Sequence, residues 1–243
     1  MNLRKFTASF GALAPLGLIL ALSACDNADI SIDGEQGKPL AELDLAHASV
    51  NELVLLGPDT VRIHPGDALA IHVEGEQSDV LRFTLKDGAL GILRKKGTFK
   101  DVGPITIDVT MPAPKGLTMG GSGQIAAETL APKAKIAIAG SGNIETPHIA
   151  VTDLDVTIAG TGNYRAGGTA STLEVSIAGT GNAQMADLKV DKADLSIAGT
   201  GDAQFASDGT VKASIVGTGT VHVRGRAKCE ISAVGSGKVV CEP

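Results

Sequence analysis

Tryptophan is missing from this sequence, and it has one tyrosine, Tyr164, and five phenylalanines in 243 residues. Such a chain cannot fill its interior with rings, and it offers few aromatic platforms for stacking on sugars. The core must be a thin, regular packing of Ile, Val, Leu and Ala. Basic runs are also missing, and acidic residues outnumber basic ones, 27 to 21, which argues against nucleic acid as a partner. No apolar stretch reaches the roughly 20 residues that span a bilayer. His47, His64, His72, His148 and His222 have no i,i+4 or CxxC-like company, so the default is scattered surface histidines and no metal site. A Gly-x-Ser-x-Gly elbow between strand and helix is absent too, leaving nucleophilic hydrolysis unsupported.

What is present begins with an export signal. Arg4 and Lys5 precede an apolar stretch from about Phe10 to Ala21, and Leu22-Ser23-Ala24-Cys25 closes it. A positive start, an apolar middle and small residues before the cut describe a bacterial secretory signal over residues 1–24. Because Cys follows the small residues, the pattern resembles the lipobox of bacterial lipoproteins. That resemblance implies diacylglycerol on the Cys25 thiol and an acylated new amine, hence a membrane partner. Three acyl chains anchor stably where one binds marginally. The remaining chain carries about −8, since Arg4 and Lys5 are two of the 21 basic residues set against 27 acidic ones. The expected location is the envelope of a Gram-negative-type bacterium, facing the periplasm from either membrane or displayed at the cell surface.

Internal repetition dominates the chain from about residue 117 onward. Aligned on the first glycine of each Gly-Ser/Thr-Gly, the anchors are Gly121, Gly140, Gly160, Gly179, Gly199, Gly217 and Gly235. Two residues before each anchor stand Met119, Ile138, Ile158, Ile177, Ile197, Ile215 and Ala233. Four before stand Leu117, Ile136, Val156, Val175, Leu195, Ala213 and Ile231. The residues between are mostly polar or small, as with Thr157, Ser176, Ser196, Ser214 and Ser232. Alternation with period two marks half-buried strand. A second strand comes after each anchor, with Ile144, Tyr164 and Val221 among its inward positions, and then a looser, variable return. Two architectures suit this unit: antiparallel hairpins in a barrel or sandwich, or coils of a parallel β-helix. Coils stack each position on itself, and here like residues do recur, as in Asn143, Asn163, Asn182 and Asp202. The reading is therefore all-β, a parallel β-helix (solenoid) of about seven coils of 18–20 residues. Its glycines mark tight corners that need positive φ.

Upstream, Val61 and Ile63, Leu69 to Val73, Leu81 to Leu85 and Ile105 to Val109 also alternate. Pro65-Gly66-Asp67 and Lys86-Asp87-Gly88 read as turns. This part is expected to be an irregular strand cap that shields the first coil from edge pairing. Residues 25–45 read as a tether, 46–243 as one β domain, and 117–243 as its regular repeats. The stretches "VRIHPGDALAIHVEGEQSDVLRFTLKDGALGI" and "ITIDVTMPAPKGLTMGGSGQI", with the later "IAGTGN" units, resemble the putative auto-transporter adhesin head GIN domain family, over about Val50 to Val240. The resemblance implies a helix-like stack of strands and carries no catalytic motif.

Candidate chemistry is sparse. A phosphate cradle needs a helix after the glycine loop, and here each loop leads into a strand. Gly199-Thr200-Gly201-Asp202 is similar to calcium-binding repeats, but the spacing is about twice theirs and Asn replaces Asp in other coils. An Asn ladder bonded from coil to coil fits better. Acidic residues recur five before the anchor, at Asp155, Glu174, Asp194 and Glu230, with Lys135 and Lys212 in the same row. They read as a solvated rim, or alternatively as the carboxylates of a polysaccharide lyase or glycosidase. Cys229 and Cys241 lie six before and six after Gly235, both on inward parity, in an oxidising compartment. They are expected to form a disulfide worth roughly 3 kcal/mol, against the alternative of two buried thiols packing as small hydrophobes. No cofactor, metal or catalytic residue is expected. The function read from the sequence is a non-enzymatic envelope lipoprotein, adhesin-like or a scaffold, contacting an envelope polymer, glycan or protein.

Overall fold

The computed structural model describes Ile32 and residues 36–75, 78–98 and 102–243. The expected signal, 1–24, and Cys25 lie outside the described residues. Strands make up 69% of the described residues. The first eight are β1 (Glu52–Gly57), β2 (Thr60–Pro65), β3 (Ala70–Val73), β4 (Leu81–Lys86), β5 (Ala89–Arg94), β6 (Thr106–Met111), β7 (Gly116–Gly121) and β8 (Gln124–Ala127). The repeats supply β9 (Lys133–Gly140), β10 (Asn143–Gly160), β11 (Asn163–Gly179), β12 (Asn182–Gly199), β13 (Ala203–Gly217), β14 (Thr220–Arg224), β15 (Lys228–Gly235) and β16 (Lys238–Glu242). Successive coils pair in parallel and in register, so the chain is a parallel β-solenoid of about seven turns. Hairpins at the glycine corners are ruled out by that pairing.

The register is like on like. Ile138, Ile158, Ile177, Ile197 and Ile215 are successive ladder partners, and all are buried. Each contributes about 1.5–3 kcal/mol by leaving water. The corners explain why the column holds. Corner glycines have φ from +114° to +134° between Gly121 and Gly235, a region that disfavours a Cβ. Their own carbonyls bind the coil above: Gly140 O accepts from Thr161 N at 2.8 Å and from Gly162 N at 2.9 Å. Gly160 and Gly217 repeat that double acceptance.

The return differs from the looser segment the sequence suggests. In β10 to β12 it is strand throughout, because even "ADLKVDKAD" keeps Leu188 and Val190 pointing inward and buried. Variable length is absorbed by register shifts, such as those between Thr146 and Ile149 and between Gln184 and Lys189.

The region before residue 117 adds rungs of its own, out of chain order. Strand β1 lies beside β7, with Gly57 over Gly121, giving one further corner glycine. Beyond β1 comes β5, and beyond β2 comes β6, both parallel. Among the described strands only the outermost, β4 and β3, run antiparallel, closing this end. The stretch read as a tether is packed down within its described part. Ile32 is buried, Lys38 bridges Phe83, and Leu40, Leu43 and Leu45 lie against the core. Its apolar residues are too widely spaced to show as a period.

A buried ion pair replaces a glycine corner in the displaced rungs. Leu93 pairs with Leu56, which puts Arg94 level with Gly57. Its guanidinium donates to Asp59 Oδ1 at 2.6 Å and Oδ2 at 3.0 Å, and to the carbonyls of Val102 and Gly103. Ile105 N donates to the same carboxylate at 2.9 Å. One residue thus fastens the loop before β6 to the corner after β1. Arg94→Met would leave Asp59 buried without its counter-charge, so urea unfolding should show a loss of about 3–5 kcal/mol. A loss below ~1 kcal/mol would contradict the fastening role.

Candidate functional site

Apart from an open depression of about 770 Å³ lined by Gly37, Lys38, Asp44, His47, Phe83 and Leu85, the solenoid presents flat sides. On the outer face of the sheet before the corners, side chains form three parallel rows. The row nearest the corner is Ala139, Ala159, Ala178, Ala198, Val216 and Val234. The next is Ala137, Thr157, Ser176, Ser196, Ser214 and Ser232, and the third is Lys135, Asp155, Glu174, Asp194, Lys212 and Glu230. Ladder partners sit about 4.8 Å apart. The result is a flat, ruled surface of methyls and hydroxyls bordered by charge. Ser/Thr at the corner itself, Thr161, Thr180, Thr200 and Thr218, add exposed hydroxyls along one rim.

The acidic row is partly self-neutralised. Lys135 Nζ lies 3.5 Å from Asp155, and Lys212 Nζ 3.8 Å from Glu230. Asp155, Glu174 and Asp194 are adjacent carboxylates in this row, the first of them held to Lys135. All lie along one outward row rather than facing each other across a gap, as glycosidic acid and base must.

The glycine corners are structural. Amides that could cradle a phosphate are bonded to the glycine carbonyl of the coil beneath, as in Thr180 N to Gly160 O at 2.9 Å. The Asn column is a ladder: Asn163 Nδ2 donates to Asn143 Oδ1, and Asn182 Nδ2 to Asn163 Oδ1, each at 3.0 Å. At Asp202, which has no side-chain donor, the backbone takes over. Asp202 N donates to Asn182 Oδ1, and Thr220 N to Asp202 Oδ1 at 2.7 Å. The sequence read as calcium-like is therefore the end of an amide column. Among the described residues no group of three or more His, Cys, Asp or Glu is placed to hold a metal ion.

Cys229 and Cys241 are joined as a disulfide in the last coil, tying β15 to β16 across the core. One residue that the sequence places on inward parity carries a polar group into the core. Tyr164 is fully buried, and its hydroxyl pairs with Thr146 at 2.7 Å; burial pushes the phenol well above its ordinary range. Tyr164 simply occupies the inward column of Ile144 and Ala183, so it is core rather than a sugar platform.

One of the five histidines, His64, belongs to a polar cluster on the outer face of β2 and its neighbours. Its Nδ1 is 2.8 Å from Glu128 Oε1, and Nε2 is 3.4 Å from Asp108 Oδ1. Arg62 Nη1 reaches Glu74 at 3.3 Å and Asp108 at 3.9 Å. These residues are up to 64 apart in sequence, so no local signal could group them. The hydrogen bond to Glu128 raises the imidazole above its ordinary 6.5; desolvation opposes this, and Asp108 assists it. A group raised in this way adds stability that is whole below the unfolded value and fades as pH rises through the folded one. NMR titration should place the His64 midpoint above 6.5, with Glu128→Gln moving it down. A midpoint at or below 6.5, or one indifferent to that change, would dismiss the cluster.

The putative auto-transporter adhesin head GIN domain family matches residues 50–227. Among curated proteins, none matches the chain. Solved structures share the fold. A putative adhesin from Bacteroides fragilis is 20% identical with a TM-score of 0.72, over 80% of this chain and 93% of its own. A putative lipid binding protein from Parabacteroides distasonis is 23% identical at TM-score 0.63, over 81% and 93%. A putative adhesin from Parabacteroides merdae is 18% identical at 0.61, over 80% and 92%. With the family matched across most of its length and the solenoid in place, the chain belongs to the head GIN domain family.

Proposed function

We propose that this chain is a non-enzymatic envelope lipoprotein whose flat outer side binds an envelope polymer, glycan or protein. The observation that carries the reading is the ruled surface itself. Five successive rungs, from Thr157 to Ser232, set a hydroxyl beside a methyl-bearing residue at ladder spacing, which suits a long or repeating partner better than a small molecule. A periodic ligand meets the same contact on each rung, so weak contacts add along the length. The adhesin wording of the family and of two solved relatives supports this. The lipid on Cys25 would hold the solenoid at a membrane, and among the described residues no helix is long and apolar enough to cross one.

Ser176→Arg with Ser196→Arg would raise two bulky cations from the middle of the surface without entering the core. Against a panel of envelope polysaccharides and peptidoglycan fragments, the wild-type chain should bind at least one. The double variant should bind it at least tenfold more weakly with an unchanged melt. In cells, labelled palmitate should appear on the wild type and vanish with Cys25→Ala. Turnover of a uronate polymer that disappears on changing Asp155 and Glu174 would instead establish the enzyme reading. Binding indifferent to the arginines would remove the flat side as the contact.

A further inference from the structure

The two ends of the solenoid differ. At one, antiparallel β3 and β4 close the stack and Ile32 and Leu40 to Leu45 pack near it. At the other, β15 pairs only with β13 and β16 only with β14 among the described residues. Side chains that point inward in every other coil are uncovered there. Ile231 is 53% exposed, while its column mates Val175 and Leu195 are at 0%. Val234 and Val216 are exposed near this end too, at 68% and 57%, but on the outer side of the sheet. The disulfide ties this coil together but leaves the core end facing solvent and two strand edges with unpaired backbone groups. Such edges recruit another chain unless something covers them.

We infer that the cover is a second copy of this chain, docked tail to tail with β16 antiparallel to its twofold mate. The sequence of β16, Lys238-Val239-Val240-Cys241-Glu242, is matched to itself in that orientation. With the axis at Val240, Lys238 lies opposite the mate's Glu242, and Glu242 opposite the mate's Lys238. Val239 and Cys241, which pack on the core, then face each other on the inner side. Neither Lys238 nor Glu242 has an ion-pair partner among the described residues. Opposite charges directly across a ladder stabilise it, and like charges destabilise it. A twofold contact is also closed: it consumes the β16 edge of both copies, so growth into a fibre along that edge stops at two. The inference stands whether or not the flat side has a ligand.

Sedimentation velocity on the full chain in density-matched non-ionic detergent tests it. The wild type should be a dimer that dissociates on dilution. Lys238→Glu sets Glu opposite Glu twice and should weaken the dimer at least tenfold, while Lys238→Glu with Glu242→Lys should restore it. Val240→Cys, at the axis, should form an interchain disulfide, since cross-strand neighbours stand about 4.5–5.5 Å apart at Cα. A monomer at every concentration, or no Val240→Cys cross-link in folded protein, would overturn the inference. So would a dimer indifferent to Lys238→Glu, or one that the double exchange does not restore.

Discussion

Close approach of backbone to backbone at the glycine corner is the constraint on which the rest of this structure depends. A Cβ built on Gly199 would lie 2.1 Å from the carbonyl oxygen of Gly179, and one on Gly160 would lie 2.5 Å from that of Gly140. No side chain fits those spaces. Because only glycine does, each coil can turn only where the coil beneath turned, and the columns inherit their register from the corners. Hydrogen bonds from the following amides to the glycine carbonyl lock the same point. Hydrophobic burial then acts on columns already aligned, and Ile sits over Ile because its neighbours above and below have fixed the width of the interior.

That logic also explains what could be read from the sequence. The solenoid between residues 117 and 243 was legible because its corners are local and its inward positions alternate with period two. The Asn column was legible for the same reason, since Asn143, Asn163 and Asn182 keep one offset from their glycines. Residues before 117 were only half legible. Their strands at Val61, Leu81 and Ile105 could be recognised, but β1 has no such mark, because Leu53 to Leu56 is an unbroken apolar run without alternation. Nothing local says that β7 returns to lie beside β1, leaving β5 and β6 outside it. Long-range pairings of that kind rest on contacts such as Arg94 with Asp59, whose residues are 35 apart. The same holds for the His64 cluster, assembled from strands that meet only in the fold.

Repetition has a further consequence for the surface. The restriction to glycine at the corner and to apolar residues inside, mostly Ile, Val, Leu and Ala, leaves the outward positions free to vary. Even so, Ser or Thr recurs three before the anchor in coil after coil, and Ala one before it, up to the last two rungs. There the small residue gives way to Val216 and Val234. The change coincides with the end where inward side chains lose their cover. A middle kept flat and a tail made greasy are two different surfaces on one rod. The first suits a repetitive ligand; the second lies on the outer side of β13 and β15, away from the β16 edge.

The corner constraint is tested most directly by comparing two glycine substitutions in urea unfolding. Gly88 has φ +80° in the β4–β5 turn, and an added Cβ there meets nothing nearer than 3.6 Å. Gly88→Ala should therefore lose only the ordinary left-handed penalty, about 1–2 kcal/mol. Gly199→Ala, at φ +134°, has a backbone penalty of its own together with the collision against the coil beneath. It should lose at least twice as much and free the column above it to hydrogen exchange. Equal losses for the two variants would show that the corners do not hold the register.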